Sequence, residues 1–230
     1  MKITKQLKKE LWQRFGTTNY PAEWDGIVYG GGKLSQRFWE YFIIIEYLKL
    51  EKDSVVLDIG GGSPKTGYGF FSQIIAKYIK KVIIFDPNAK QIQKHLDNIE
   101  IIREEANYES LNKVLSENRI THISCISVFE HIKPQLRQNI IKAINDHFTG
   151  RIFTATYEYH PRKKFFQEQL TTKSASEMFS NFSNFYLAEY TSSPTLCENA
   201  FAKRGLPLPR ILVQRWYPVA VKFENCRTRL

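Results

Sequence analysis

The stretch Val55-Val56-Leu57-Asp58-Ile59, ending abruptly in Gly60-Gly61-Gly62-Ser63-Pro64, constrains the fold more than any other part of the chain. Five residues dominated by branched apolar side chains have the length of a strand. An apolar run without regular polar alternation belongs to a strand covered on both faces. The glycines at its end mark a tight turn in which no Cβ crowds the backbone. The same motif of apolar run, break and helical stretch recurs downstream. Phe70, Phe71, Ile74, Ile75 and Tyr78 predict a helix from Gly67 to Lys80 by their spacing. Val82 to Asp86 is a second strand, Pro87-Asn88 opens a helix holding Ile92 and Leu96, and Ile99 to Ile102 is a third strand. A helix from Glu109 to Glu117, a strand from His122 to Ser127, a helix from Pro134 to Phe148 and a strand from Arg151 to Thr156 follow. Strands alternating with helices of this length build an α/β fold, a doubly wound parallel sheet.

The two ends of the chain depart from that rhythm. Ser174 to Phe182 reads as a helix, with Ser174 and Glu177 spaced as a capping box. Phe185 to Tyr190 and Ile211 to Phe223 read as strands with no helix between them, an antiparallel pair that closes the sheet. The first fifty residues are helical and aromatic, with Phe38, Phe42, Ile45 and Leu48 on one face. Residues 1–50 are therefore expected to form an N-terminal helical cap. Residues 51–230 are expected to form one Rossmann-like domain, with segment 157–184 on the substrate side.

Composition narrows the function classes. A hydrophobic fraction of 43% over 230 residues is enough for a full core and excludes wholesale disorder. Three cysteines with no CxxC spacing exclude a disulfide framework and a zinc module, and make a reducing cytoplasm the expected location. The aliphatic run Tyr41 to Ile45 stops at Glu46, far short of a membrane span, and the basic first ten residues lack the apolar core of a secretory signal. The net charge of +10 lies wholly at the ends: five basic residues against Glu10 in 1–14, and seven against Glu224 in 203–230. Such ends attract phosphate-bearing partners, yet neither has the dense cluster of a nucleic-acid arm.

In a doubly wound sheet, ligands bind outside the carboxyl ends of the strands. Acidic residues stand at three such ends: Asp58 before the glycine turn, Asp86 after the second strand and Glu105 after the third. Glycines at 60 and 62 allow close approach of a ligand, and an acid at the second strand's end can accept both hydroxyls of a ribose. A nicotinamide-type GxGxxG is not completed, because Pro64 and Lys65 follow Gly62. A phosphate-binding P-loop is excluded, since no GxxxxGK[ST] occurs.

Together these residues resemble the class I S-adenosylmethionine-dependent methyltransferases, over Val55 to Tyr157. Asp58-Ile59-Gly60-Gly61-Gly62 is similar to that family's Asp-x-Gly-x-Gly loop around the methionine part of the cofactor. Asp86, followed by Pro87, matches its ribose acid, and Glu105-Ala106 its acid–small pair beside the adenine. Ile126-Ser127-Val128-Phe129-Glu130-His131-Ile132 is similar to the segment that follows the family's fourth strand. The loop Ser63 to Gly69 is longer than the usual pattern.

The resemblance implies a seven-stranded sheet of order 3-2-1-4-5-7-6 with strand 7 antiparallel, and S-adenosyl-L-methionine as cofactor with S-adenosyl-L-homocysteine as product. Cofactor contacts are expected from Asp58, Gly60, Gly61, Gly62, Asp86, Pro87, Glu105, Ala106 and Ser127, and from Tyr29 in a glycine-rich lid, Trp24 to Lys33. Catalytic candidates are Glu130 and His131 at the pocket mouth and His160 past the fifth strand, the histidines as bases. Ser127 stands where some metal-using relatives carry an acid, so no metal is expected. The expected reaction is in-line O- or N-methyl transfer to a small molecule or saccharide, phosphorylated acceptors included. The alternatives are an RNA or DNA methyltransferase gripping phosphates with its basic termini, and a non-catalytic cofactor-binding regulatory protein.

Overall fold

β1 (Val55–Ile59) is buried along its whole length and lies at the centre of the sheet. The computed structural model describes residues 2–15, 36–63, 67–90, 96–147, 151–159, 170–179, 185–189 and 217–224. On one side β1 pairs with β4 (Lys81–Phe85), which pairs with β5 (Ile99–Ile102). On the other it pairs with β6 (His122–Ile126), which pairs with β7 (Ile152–Tyr159). All four pairings are parallel, in the order β5-β4-β1-β6-β7. The chain therefore winds outward from β1 in one direction, then returns to β1's other side at β6. Such a reversal is where open α/β sheets bind ligands, outside the carboxyl ends of their strands, and here it lies between β1 and β6.

Side-chain alternation divides the core into two layers, one on each face of the sheet. Val55, Leu57 and Ile59 of β1 join Ile83 and Phe85 of β4 and Ile123 and Cys125 of β6 on one face. That face is covered by α4 (Tyr108–Glu117), α5 (Pro134–Asp146) and α6 (Thr172–Met178). Val56, Val82 and Ile84 point to the other face, against α1 (Lys2–Phe15), α2 (Gln36–Leu48) and α3 (Phe70–Ala76). Ile3, Leu7 and Leu11 of α1 recur every fourth residue and are buried. In α2 the buried stripe is Tyr41, Ile44, Ile45 and Leu48. Phe42, expected on that stripe, is only half-buried and lies under the Lys8 ammonium, while the side chain of Phe38 lies outside the described set.

Several boundaries differ from the sequence reading for local reasons. α3 begins at Phe70, not Gly67, because Gly67–Tyr68 (β3) folds back antiparallel on Gly62–Ser63 (β2). The extra loop length is thus partly a miniature hairpin. α6 is capped by Thr171, whose side chain accepts from the Ser174 amide while Ser174 Oγ accepts from the Thr171 amide. The expected box one turn later, Ser174 with Glu177, lies inside the helix. β7 continues to Tyr159, three residues past its expected end, because β9 (Tyr217–Glu224) pairs with it antiparallel from Ile152 to Tyr159. β8 (Phe185–Glu189) pairs antiparallel with β9. The helix expected around Ile92 and the strand residues 211–216 lie outside the described residues, as do both basic termini except 2–14 and 217–224. Among the described residues no helix is long and apolar enough to cross a membrane.

Candidate active site

The sheet face toward α2 and α3 carries a row of buried polar residues among its apolar ones. Asp58, Ser124 and Thr154 stand side by side across β1, β6 and β7, and Thr156 lies two residues farther along β7. All four are buried. Buried polar groups are costly unless paired, and these are paired. Asp58 accepts Ser124 Oγ at 2.7 Å on one oxygen and Ser72 Oγ, from α3, at 2.5 Å on the other. Only 2% of Asp58 is exposed, and burial pushes its carboxyl up to about 6, with the nearby Asp86 charge adding to the rise and the two hydroxyls opposing it. Asp58 thus sits beneath the glycine turn and ties β1, β6 and α3 together.

Each glycine of the turn answers a different demand. Gly60 has φ of 71°, and a Cβ there would lie 2.3 Å from a methyl of Val128, just past β6. A Cβ on Gly61 would collide with the Asp58 carboxylate at 2.0 Å. On Gly62 it would sit 2.7 Å from the Cβ atoms of both Asp86 and Ala89. The turn is fastened on its far side by the Gly69 amide, which donates to the Gly61 carbonyl at 2.7 Å. Asp86 is 8% exposed and receives two backbone donors, Gly62 N–H at 3.0 Å on one oxygen and Asn88 N–H at 2.8 Å on the other. A carboxylate offers about four lone-pair sites, so two remain for a diol.

The tip of β6 carries a second polar knot. Ser127 adopts φ of 52°, uncommon for a residue other than glycine. Its amide donates to the Thr156 carbonyl at 3.0 Å. Its hydroxyl donates to Glu40 Oε1 at 2.6 Å, and Thr156 Oγ1 donates to the same oxygen at 3.2 Å. Glu40 comes from α2 and is fully buried. The neighbouring Phe129–His131 segment is a single 3-10 turn that separates the expected pair: Glu130 is fully buried and His131 is exposed. After β5, Ala106 is buried and Glu105 exposed. Pro87 begins the exposed turn after Asp86.

The structure therefore brings Asp58, Gly60, Gly61, Gly62 and Asp86 together over β1 and β4, with Ser127 adjoining through Val128. Tyr29 and His160 lie outside the described residues. Glu40, Ser72, Ser124 and Thr156 escaped the sequence reading. A signal for some of them exists: Glu40 is an acid at helical spacing with the buried Ile44 and Leu48, and Ser124 and Thr156 are hydroxyl residues spaced with His122 and Thr154 on one face of their strands.

No protein-family model matches the chain, and no curated protein matches it in sequence. Solved structures do match. The methyltransferase domain of bacterial CtHen1 superimposes with a TM-score of 0.52 at 13% identity, over 80% of this chain and 95% of that one. A SAM-dependent methyltransferase from Anabaena variabilis gives 0.51 at 12% identity, over 96% of this chain and 92% of that one. This is the fold of the class I S-adenosylmethionine-dependent methyltransferases. WbdD, solved with the kinase inhibitor LY294002, is also similar, with 0.51 at 15% identity, over 96% of this chain and 47% of that one. In the methyltransferase fold found here, the glycine turn and Asp86 occupy the strand tips beside the topological switch.

Proposed function

We propose that this protein is a methyltransferase that uses S-adenosyl-L-methionine to methylate a small molecule or saccharide. The observation that carries the reading is the glycine turn wedged between Asp58 and Asp86 at the sheet's switch point. The chemistry of the donors fits the group. Asp86 retains acceptor capacity for a ribose diol, and its charge supports strong hydrogen bonds. Ala106, just after β5, is the small residue that this reading sets beside a flat ring. The two antiparallel strands are read as completing the 3-2-1-4-5-7-6 sheet, and α1 and α2 as the cap packed on its face beside α3. When bound, the cofactor supplies a methyl group already activated on a sulfonium, so the protein's task is chiefly alignment and exclusion of water.

In this reading Asp86 fixes the ribose, and its bond to the Gly62 amide fixes the turn that faces the methionine part. Asp58 holds that turn from beneath and contributes through β1, β6 and α3, in place of the direct cofactor contact that its motif implies. His131, exposed beside the β6 tip, is the candidate base on the open side. Phosphorylated acceptors suit the basic composition. Isothermal titration with S-adenosylhomocysteine, followed by transfer of a labelled methyl group to fractionated small-molecule extract, tests the proposal. Saturable binding and labelling of a small molecule are expected. Binding with label appearing only in nucleic acid, lost steeply with salt, turns the reading to the nucleic-acid alternative. Binding without any transfer favours the regulatory one.

A further inference from the structure

We infer that Glu40 is the carboxylate on the acceptor side of the transfer site, and that the site is built for an acceptor whose nucleophilic atom still bears a proton, an amine or hydroxyl rather than an oxyanion. The inference rests on the cofactor reading above. It follows from the order of the strand tips. Asp86 stands at the tip of β4, the glycine turn at the tip of β1 and Ser127 at the tip of β6, with Thr156 of β7 level with the end of β6, neighbours in that order. A nucleoside fixed by its ribose at β4, with its amino-acid half over β1, directs its reacting end toward β6, one strand spacing or about 5 Å on.

Glu40 is the acid that reaches this place. Its Oε1 takes the hydroxyls of Ser127 at 2.6 Å and Thr156 at 3.2 Å, so it lies over β6 and β7 together. Ser127 is held with φ of 52°, and the next residue, Val128, packs on Gly60. The acid, the strained serine and the cofactor turn therefore form one continuous cluster. Glu40 arrives from α2, outside the sheet. A fully buried carboxylate is expensive, and a tie between helix and sheet alone could be made by a glutamine at lower cost. A carboxylate in this low-dielectric setting repels an oxyanion and favours an N–H or O–H donor, or an ammonium that gives up a proton before its nitrogen takes the methyl group.

The test uses two cofactor analogues that need no knowledge of the acceptor. Sinefungin carries a primary amine where the methyl group of the cofactor projects, whereas S-adenosylhomocysteine carries nothing there. The full chain is titrated calorimetrically with each, as wild type, as Glu40→Gln, which keeps an acceptor for both hydroxyls, and as Glu40→Asp, which keeps the charge. The expected result is that wild type prefers sinefungin by about tenfold. Glu40→Gln is expected to bring the two affinities within about twofold of each other while holding S-adenosylhomocysteine near its wild-type affinity, and Glu40→Asp to retain part of the preference. Should Glu40→Gln fail to fold, wild type and Glu40→Asp decide the matter. A wild type without the preference, or a preference that survives in Glu40→Gln, overturns the assignment of Glu40 and leaves the cofactor reading standing. Failure of wild type to bind either analogue overturns both.

Discussion

Asp58 gives the sharpest quantitative test of the buried polar layer. Its carboxyl is pushed from 3.8 up to about 6 in the folded chain, chiefly by burial. The folded state therefore holds a proton that the unfolded state releases between about pH 4 and pH 6, and stability falls as pH rises through that window. The contribution is fully present below pH 4 and is lost above pH 6. A shift of about two units corresponds to about 3 kcal/mol in total. Because the unfolded carboxyl is already largely ionised at pH 5, about half of that total is expected between pH 5 and pH 8. Asp58→Asn keeps the shape and an acceptor for Ser72 or Ser124 but cannot ionise. Urea denaturation of wild type and variant at a series of pH values isolates the group, since other titrations cancel in the difference. The variant should gain on wild type by about 1–2 kcal/mol from pH 5 to pH 8. A difference that does not change with pH would refute the claim that Asp58 is held in a dry, weakly compensated site.

Further outcomes follow from neighbouring features. His122, at the amino end of β6, is held down to about 4 by burial, so its neutral form is favoured in the fold and stability should rise as pH rises from 4 to 6.5. His122→Asn should remove that rise in the same urea series, unmasking the opposing slope of Asp58. Gly62→Ala places a methyl group 2.7 Å from Asp86 and Ala89 Cβ. It should cost about 1–3 kcal/mol of stability by thermal melting and weaken S-adenosylhomocysteine binding in the same protein. An Asp86→Ala variant loses both the proposed ribose contacts and the anchor of the Gly62 amide. Calorimetry should show affinity for S-adenosylhomocysteine reduced by about 10- to 150-fold, equivalent to about 1.5–3 kcal/mol.

The parallel sheet was legible because its strands are short, branched and apolar, and because glycine or proline interrupts the chain where strands end. Ile99–Ile102 forms the strand that its composition predicts, residue for residue. Boundaries failed where long-range pairing overrides local pattern, as where β9 extends β7 to Tyr159 and where the β2–β3 hairpin delays α3. Asp58 and Asp86 were visible by their position at strand ends, yet their partners were not. Ser72 meets Asp58 only because α3 packs on the sheet, Ser124 only because β6 pairs with β1, and Asp86 meets Gly62 across a turn 24 residues away in sequence. Glu40 and Ser127 are 87 residues apart, and no local spacing encodes their contact. Glu130 and His131 illustrate the converse. Adjacent in sequence, they part into core and solvent because the 3-10 turn points neighbouring side chains in different directions.

The account stands or falls on where an adenosyl ligand sits. A crystal structure of the chain grown with S-adenosylhomocysteine should show the ribose hydroxyls on the Asp86 carboxylate, the glycine turn along the amino-acid half and the thioether facing the β6 tip. Nucleoside density elsewhere on the molecule, with the crevice above Gly60 to Gly62 closed to it, would contradict the account at its root.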